Sequence, residues 1–263
     1  MPIVGRIESL WRYPVKSMQG EQLQQAFAGF PGIYGDRVYA FHSSAAPKGF
    51  PYFTARDQAQ MLRYRGAYRH AERMALPPNL VDAEALPPGA TPLYAAPADL
   101  MLDVATPSGE VLAIDDRRLV DLLSEGTRDG LQLSLIRSDR ALTDCRPVSL
   151  ISIETTRQLS TESGAELDKR RFRANVYVEL ESGRGFGEDA WVGRRLRIGA
   201  KAEMMVMARD PRCKMITLDP DTAQANPEVS RCVAKGHDGK AGVYAAMLVE
   251  GVIRAGDPVA LVD

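Results

Sequence analysis

Cysteine is scarce in this chain. Its 263 residues include three cysteines, Cys145, Cys213 and Cys232, which are odd in number and widely spaced. Disulfide-stapled domains carry even numbers of closely spaced cysteines, so the sequence excludes such a framework. The three histidines form no zinc-ligand spacing with one another or with the cysteines. We therefore expect free thiols in a reducing compartment and no structural zinc.

The chain also lacks an excess of either charge and any long apolar run. Lys and Arg number 33 against 34 Asp and Glu, a formal net charge of -1, so there is no overall field to attract nucleic acid. No apolar run reaches the roughly 18 residues of a membrane span, and "MPIVGRIESLW" lacks the residue order of a secretory signal. We expect a cytoplasmic protein with no nucleic-acid or membrane partner.

Common enzyme signatures are missing as well. "SGRGFGED" is rich in glycine, but it lacks the G-x-G-x-x-G spacing and the strand-to-helix context of a dinucleotide site. The sequence has no P-loop, no nucleophile elbow and no H-E-x-x-H. Most large enzyme classes are therefore disfavoured.

Short strand-like segments dominate what is present. They are rich in β-branched and aromatic residues and are separated by Gly, Pro, Ser and Asp. The segments are "PIVGRIESLW", "EQLQQAFAGF", "DRVYAFH", "EVLAI", "LQLSLIR", "RANVYVELE", "RRLRIG", "AEMMVMA", "GVYAAMLVE" and "DPVALVD". This pattern predicts a mainly β fold of α+β character, with two closely packed β-barrel-like domains over residues 1–124 and 125–263.

Three segments have helical character. "DDRRLVDLLSEG" has acids at its front and Gly126 beyond its end, "RDQAQMLRYRG" is a second candidate, and Ser152 and Gly164 are suited to cap the clearest helix. Between the first two, "LPPNLVDAEALPPGATPLYAAP" carries doubled prolines, which predict an irregular surface segment.

The first residues with chemical potential follow a strand end. Pro14 cannot donate to a sheet ladder, so the strand stops or reaches an edge there and places Lys16 and Ser17 just beyond it. A lysine cation beside a hydroxyl and open backbone N–H groups suits a phosphate. The same two residues also fit a solvated turn.

Other polar residues share this ambiguity. Arg37 is expected to begin a strand after the Gly-Asp turn, and Thr54 and Arg56 precede a predicted helix. Arg173 and Asn175 alternate with valines, which predicts that they share one face of a strand start. Arginines can hold phosphate, and an arginine with an asparagine could read a heterocycle edge or cap a barrel end.

Cys213 is the strongest sequence candidate for a reactive side chain. "AEMMVMA" predicts a buried strand that "RDP" breaks, so Arg212 and Cys213 are expected in a loop, where the arginine could favour a thiolate. Free cysteine is also among the most buried residue types, so these facts alone favour an inert packing role.

The order of the motifs resembles one family. "LWRYPVKSMQGE", "GDRVYAF", "FTAR", "RFRANVYV", "GEDAWVGRRLRIG", "PRCKMITLDPDT" and "GDPVALVD" occur as in MOSC-domain proteins with an N-terminal β-barrel domain, similar to YcbX-like proteins and the mitochondrial amidoxime reducing component. The chain departs from the pattern at Ala174, where a proline is common, at Ala223, where a glycine is common, and at Met18.

The resemblance implies a molybdenum–molybdopterin cofactor between the two domains. Cys213 would be the catalytic residue and the thiolate ligand of the metal, and the other carried-over positions would surround the pterin and its phosphate. These positions are Lys16, Ser17, Arg37, Thr54, Arg56, Ser149, Arg173, Asn175 and Arg212. Three cysteines cannot also hold an iron–sulfur cluster, so electrons are expected from a separate ferredoxin, flavoprotein or cytochrome.

The implied activity is reduction of N-hydroxylated compounds, including hydroxylamino bases and amidoximes. Two alternatives stay open: a sulfur carrier or transferase with a persulfide on Cys213, and a protein that stores or delivers the cofactor. Pyridoxal phosphate is also associated with the family, but no lysine here has an independent Schiff-base context.

Overall fold

The computed structural model describes residues 1–85, 98–128 and 130–262. In the first half its strands are β1 (Ile3–Arg12), β2 (Glu21–Leu23), β3 (Gln25–Gly29), β4 (Gly32–Ile33), β5 (Tyr39–Ser43), β6 (Tyr52–Phe53), β7 (Arg65–Tyr68), β8 (Leu102–Ala105) and β9 (Val111–Ala113). In the second half they are β10 (Leu133–Arg137), β11 (Val148–Ser152), β12 (Val176–Leu180), β13 (Arg195–Ile198), β14 (Ala202–Pro211), β15 (Lys240–Val249), β16 (Gly251–Arg254) and β17 (Pro258–Val262).

Helices are few in the described ranges. The α-helices are α1 (Leu80–Ala85), α2 (Arg117–Ser124), α3 (Ile153–Ser163) and α4 (Pro227–Gly236). Short 3-10 helices cover Ala59–Arg63, Lys169–Phe172, Gly187–Trp191 and Lys214–Thr217. The predicted mainly β architecture is confirmed. None of these helices combines the length and the apolar character needed to cross a bilayer.

A closed barrel forms the larger part of the fold. Its sheet runs in the order β12-β11-β15-β14-β13-β17-β1-β2, and β1 also pairs with β12, which closes the circuit. Strand β1 therefore lies between β12, where Gly5 faces Leu180, and β17, where Ile3 faces Ala260. Apolar side chains such as Val178, Leu196 and Met204 are fully buried inside. Helices α3 and α4 contribute to an apolar cluster with Ile151 and Tyr177.

The remaining described strands form three smaller sheets, in the orders β10-β5-β6, β16-β3-β4 and β7-β8-β9. Phe41, Phe53, Met61 and Leu102 are buried in their common core. Strand β10 pairs with β5, and β16 pairs with β3, so chain segments after residue 125 join segments before it. The division into residues 1–124 and 125–263 stays a proposal.

In two segments the observed structure differs from the prediction because of strand pairing. "RDQAQMLRYRG" is a 3-10 helix that ends at Arg63, and Arg65–Tyr68 is a strand, because it pairs antiparallel with β8. "EQLQQAFAGF" divides into β2 and β3, which pair with β1 and β16. Strands β4, β6, β7, β8, β11 and β16 were not predicted, since each is only two to five residues long.

The helix caps follow sequence rules closely. Ser152 accepts a hydrogen bond from the backbone N of Thr155, and Gly164 ends α3 in the left-handed region with φ 67°, as predicted. Helix α2 is also confirmed. Helix α4 was missed, although Asn226 followed by Pro227 is a helix-start signal. Helix α1 lies in the segment predicted to be irregular, whose residues 86–97 are outside the described ranges.

Candidate functional site

All ten predicted site residues line one cavity. It encloses about 740 Å³, counting its open mouth, and segments from both halves of the chain form its wall. The ten are Lys16, Ser17, Arg37, Thr54, Arg56, Ser149, Arg173, Asn175, Arg212 and Cys213. The separated strand ends noted in the sequence therefore meet around one space.

The wall of this cavity is strongly cationic. Seven lining residues are basic and two are acidic, although the whole chain has a formal charge of -1. The basic residues are Lys16, Arg37, Arg56, Arg146, Arg171, Arg173 and Arg212, and the acids are Asp144 and Asp210. Like charges held together repel each other, so an anion in the cavity would relieve this repulsion.

Lys16 lies just beyond β1 and is 5% exposed. Its Nζ donates to the carbonyl of Leu142 at 2.7 Å and forms an ion pair with Asp144. Burial lowers the pKa of Lys16 to about 8, although Asp144 acts in the opposite direction. Lys16 is therefore a cation at neutral pH that loses its proton in mild alkali.

Three of the site residues have backbones in the left-handed region. The φ angles are 67° at Ser17, 47° at Arg37 and 51° at Arg173. Such angles cost free energy for residues with a side chain, and they concentrate at functional sites. Arg37 lies in the turn before β5, and Arg173 ends a 3-10 helix before β12, so the predicted strand positions of both residues are wrong.

Arg37 and Arg173 support each other. Arg37 pairs with Asp36 and donates through Nη2 to the carbonyl of Arg173 at 2.9 Å. Arg173 donates through Nη1 to the carbonyl of Met18 at 2.7 Å, and both guanidinium groups contact the ring of Tyr13. Burial lowers the pKa of Arg173 to about 10, and the charge of Arg37 acts in the same direction.

Arg212 follows β14, which extends through Pro211, so the predicted break at "RDP" is wrong. The Arg212 side chain donates to the carbonyls of Ala241 at 2.7 Å and Phe172 at 2.9 Å, and it pairs with Asp210 at 2.9 Å. Gly242 makes room for it: a Cβ there would lie 3.1 Å from Arg212 Nη2 and 2.6 Å from a backbone oxygen.

Three arginines of the cavity wall each have one buried guanidinium nitrogen that makes no hydrogen bond within the described ranges. These nitrogens are Nε of Arg171, Nη2 of Arg173 and Nη2 of Arg212. A buried donor without an acceptor costs about 1–3 kcal/mol, more when it is charged. An anionic ligand in the cavity would satisfy such donors.

Ser149 and Asn175 form a separate polar pair on the wall. The Ser149 N donates to Asn175 Oδ1 at 3.2 Å, and Asn175 Nδ2 donates to the carbonyl of Trp11 at 3.3 Å. Asn175 immediately precedes β12, so it does not share a strand face with Arg173 as predicted. Through these two bonds Asn175 holds the end of β1 against the start of β11.

Thr54 and Arg56 lie at the outer wall. Thr54 donates to Asp57 at 3.0 Å, and Arg56 approaches Asp144 at 3.6 Å. Burial acts to raise the pKa of Asp144, but Lys16 and Arg56 together hold it below its usual range. Asp144 is therefore an internal counter-ion at the cavity mouth.

Cys213 is partly exposed and directly follows Arg212. It precedes the 3-10 helix Lys214–Thr217, and among the described residues its Sγ has no hydrogen-bond partner. The thiol is thus free to react or to ligate. By contrast, burial and a hydrogen bond to Glu162 raise the pKa of Cys232 to about 11, which makes that thiol unreactive.

Sequence reasoning did not identify ten further residues of the cavity wall. They are Thr143, Asp144, Arg146, Arg171, Phe172, Asp210, Pro211, Met215, Ile216 and Tyr244. Arg171, Phe172 and Asp210 flank recognised motif residues and could have been inferred from them. The segment that contains Asp144 carries no local signal, because only the closure of the barrel brings it to Lys16.

Comparisons with known proteins assign the family. Residues 137–260 match the MOSC domain, and residues 4–87 match the MOSC N-terminal beta barrel domain. The chain belongs to the MOSC-domain family. MOSC domains are a molybdenum-cofactor-binding family. Mitochondrial amidoxime reducing component 2 of Bos taurus is 26% identical over 233 residues, which cover 83% of this chain and 68% of that protein.

The solved structures to which the chain is similar include two bacterial proteins. The YuaD protein from Bacillus subtilis is 13% identical with a TM-score of 0.48, and the match covers 98% of this chain and 94% of that one. YiiM from Geobacillus stearothermophilus is 22% identical with a TM-score of 0.36, and the match covers 45% of this chain and 55% of that one.

Proposed function

We propose that this MOSC protein binds a molybdenum–molybdopterin cofactor in the cationic cavity and reduces N-hydroxylated compounds, with electrons from a separate protein. The observation that carries the proposal is the pair of buried, unpartnered nitrogens on Arg173 and Arg212 in a cavity that also presents the free thiol of Cys213. The Bos taurus relative, named as an amidoxime reducing component, supports the choice of substrate class.

The residues of the cavity fit a phosphate-bearing ligand. Arg173 and Arg212 would each donate an Nη2 hydrogen bond to the phosphate, and Lys16 would add a third positive charge. Arg37 positions Arg173 through its backbone carbonyl rather than through the ligand. The hydroxyl of Ser149 is hydrogen-bonded to Asn175, so this pair would form a fixed polar part of the wall beside the ligand.

Cys213 would serve as the one protein sulfur ligand. A soft thiolate suits a sulfur-rich molybdenum environment. When bound, the cofactor would supply two electrons, which together with two protons would convert the N–OH group of the substrate to N–H and release the oxygen as water. Cys213 lies on the cavity wall and is partly exposed, so substrate can approach from the same side.

The test is molybdenum and released pterin per chain, after purification from a host that makes the cofactor. We expect near-equal molar amounts in the wild type, loss of the metal in Cys213→Ala, and loss of metal and pterin in Arg173→Met/Arg212→Met. Cys232→Ala is the matched control and should retain both. A wild type free of metal and pterin from a competent host would refute the proposal.

The accessible thiol of Cys213 also favours a second candidate, a sulfur carrier with a persulfide at this position. Incubation with a cysteine desulfurase and cysteine should then place a sulfane sulfur on the wild type but not on Cys213→Ala. Equal labelling of both proteins would exclude this alternative.

A further inference from the structure

A second cavity lies behind the turn that carries Arg37. It encloses about 510 Å³, counting its opening, and apolar side chains form most of its wall, among them Phe27, Ile33, Val38 and Leu100. None of the residues assigned to the cofactor cavity lines it.

The charge of this second cavity is opposite to that of the first. Its charged lining residues are Asp36, Asp139 and Glu250, with no lysine or arginine among the residues described there. Asp36 is already used, because it accepts from the backbone N of Tyr13 at 2.7 Å and pairs with Arg37. Asp139 is exposed at the rim. Glu250 is thus the buried acid that a ligand can address.

Glu250 is built into the wall and only half satisfied. The residue is 7% exposed, and its Oε1 accepts from the backbone N of Phe30 at 2.9 Å. Its Oε2 is buried and finds no hydrogen-bond partner in the part of the chain that the structure describes. Burial raises the pKa of Glu250, whereas the hydrogen bond from Phe30 and the charge of Lys201, which does not line the cavity, act in the opposite direction.

The adjoining hairpin is shaped around this carboxylate. Gly29 lies so close that a Cβ at this position would be 3.0 Å from Glu250 Oε1 and 3.1 Å from the ring of Phe27. The backbone turn between β3 and β4 therefore holds the acid and the aromatic wall together at one end of the cavity.

We propose that this cavity binds a small organic cation with an apolar body, such as an aromatic amidinium or a primary arylalkyl amine. Its cationic end pairs with Glu250 and supplies the hydrogen bond that Oε2 lacks. Its apolar body packs against Phe27, Ile33 and Leu100. Neutral and anionic molecules of the same shape bind less well, because a buried carboxylate with a free oxygen excludes them.

Calorimetric titration of the full chain with benzamidine tests the proposal, with benzamide and benzoate as neutral and anionic analogues. We expect saturable binding of one benzamidine, weaker binding of benzamide and none of benzoate. Glu250→Gln keeps an oxygen for Phe30 but removes the charge, and should weaken benzamidine binding about tenfold or more. Glu181→Gln changes the same charge at an exposed position and should have no effect.

A second variant protects the test against misfolding. Ala141→Leu adds bulk on the wall of the cavity and leaves Glu250 intact, so it should block benzamidine while the thermal unfolding profile stays close to that of the wild type. Absence of saturable binding to the wild type, equal binding to Glu250→Gln, or equal binding of benzoate would each overturn the proposal. These outcomes do not depend on whether the other cavity takes a molybdenum cofactor.

Discussion

Lys16 links anion binding to pH. Because its folded pKa is about 8, the cavity loses one positive charge as the pH rises through that value. We expect the sulfate dissociation constant, measured by calorimetry at constant ionic strength on both sides of pH 8, to increase across this range. Sulfate is a suitable probe because its own charge does not change there.

Two variants separate Lys16 from general charge effects. Lys16→Met should bind sulfate weakly and without the change in affinity near pH 8, whereas Lys235→Met, which alters an exposed lysine of α4, should behave as the wild type does.

The pKa of Lys16 also makes the stability of the protein depend on pH, with a defined sign. Between pH 8 and 10.5 the unfolded chain binds more protons at Lys16, so its contribution to the free energy of unfolding rises with pH. If sulfate affinity still changed near pH 8 in Lys16→Met, Lys16 would not be the titrating group.

Asp144 competes with any anion for Lys16 and Arg56. Replacing it by asparagine removes the internal counter-ion, so Asp144→Asn should bind sulfate more tightly, by about threefold to tenfold, at a pH well below 8. Asp139→Asn removes the same charge five residues earlier, where the carboxylate is exposed and not on this cavity wall. If sulfate affinity increased equally in both variants, the increase would come from the change in net charge alone.

At the scale of elements, β15 must bend closely past β11 to support Arg212. Gly242 has φ 73°, and an added Cβ would meet the carbonyl oxygen of Leu150 and the Arg212 guanidinium. Gly239 has nearly the same angle, φ 72°, but nothing lies within 4 Å of its Cβ position. The two glycines therefore form a natural pair for comparison.

Alanine at either position should carry the cost of the left-handed backbone, about 1–2 kcal/mol. Gly242→Ala should lose a further 1–3 kcal/mol, roughly, from the steric conflict, and should also weaken sulfate binding because Arg212 is displaced. Chemical denaturation and calorimetry measure the two effects. Similar stability and similar sulfate affinity in both variants would show that Arg212 does not depend on this close approach.

At the scale of the whole molecule, β1 closes the barrel. A fragment of residues 125–263 lacks it, which leaves the edges of β12 and β17 unpaired. We expect this fragment to aggregate or to unfold without a cooperative transition. Fusion of residues 1–24 to its front should restore a cooperative transition, as followed by circular dichroism and size-exclusion chromatography. A stable, monomeric fragment would instead support the proposed division at residue 125.

The sequence predicted the elements best where local chemistry decides them. Ser152 and Gly164 identified helix α3 to the residue, because side-chain capping and a left-handed terminus are local properties. Sequence reasoning failed for β7, which it placed in a helix, because the pairing with β8 overrides local preference. Ala223 shows the same limit: its φ of 61° agrees with the glycine that the family resemblance led us to expect there, yet the backbone angle is visible only in the structure.

For the site, the motifs and their order along the chain indicated the MOSC family, and that resemblance supplied the ten predicted positions. Only the tertiary structure decided that these residues share one cavity, that Arg173 and Arg212 keep unpartnered nitrogens there, and that Asp144 stands against Lys16. The reason is physical. Motifs indicate which side chains a ligand needs. Burial, charge pairing and the cavity itself depend on segments that are far apart in the sequence, such as those of Lys16 and Asp144, which are 128 residues apart.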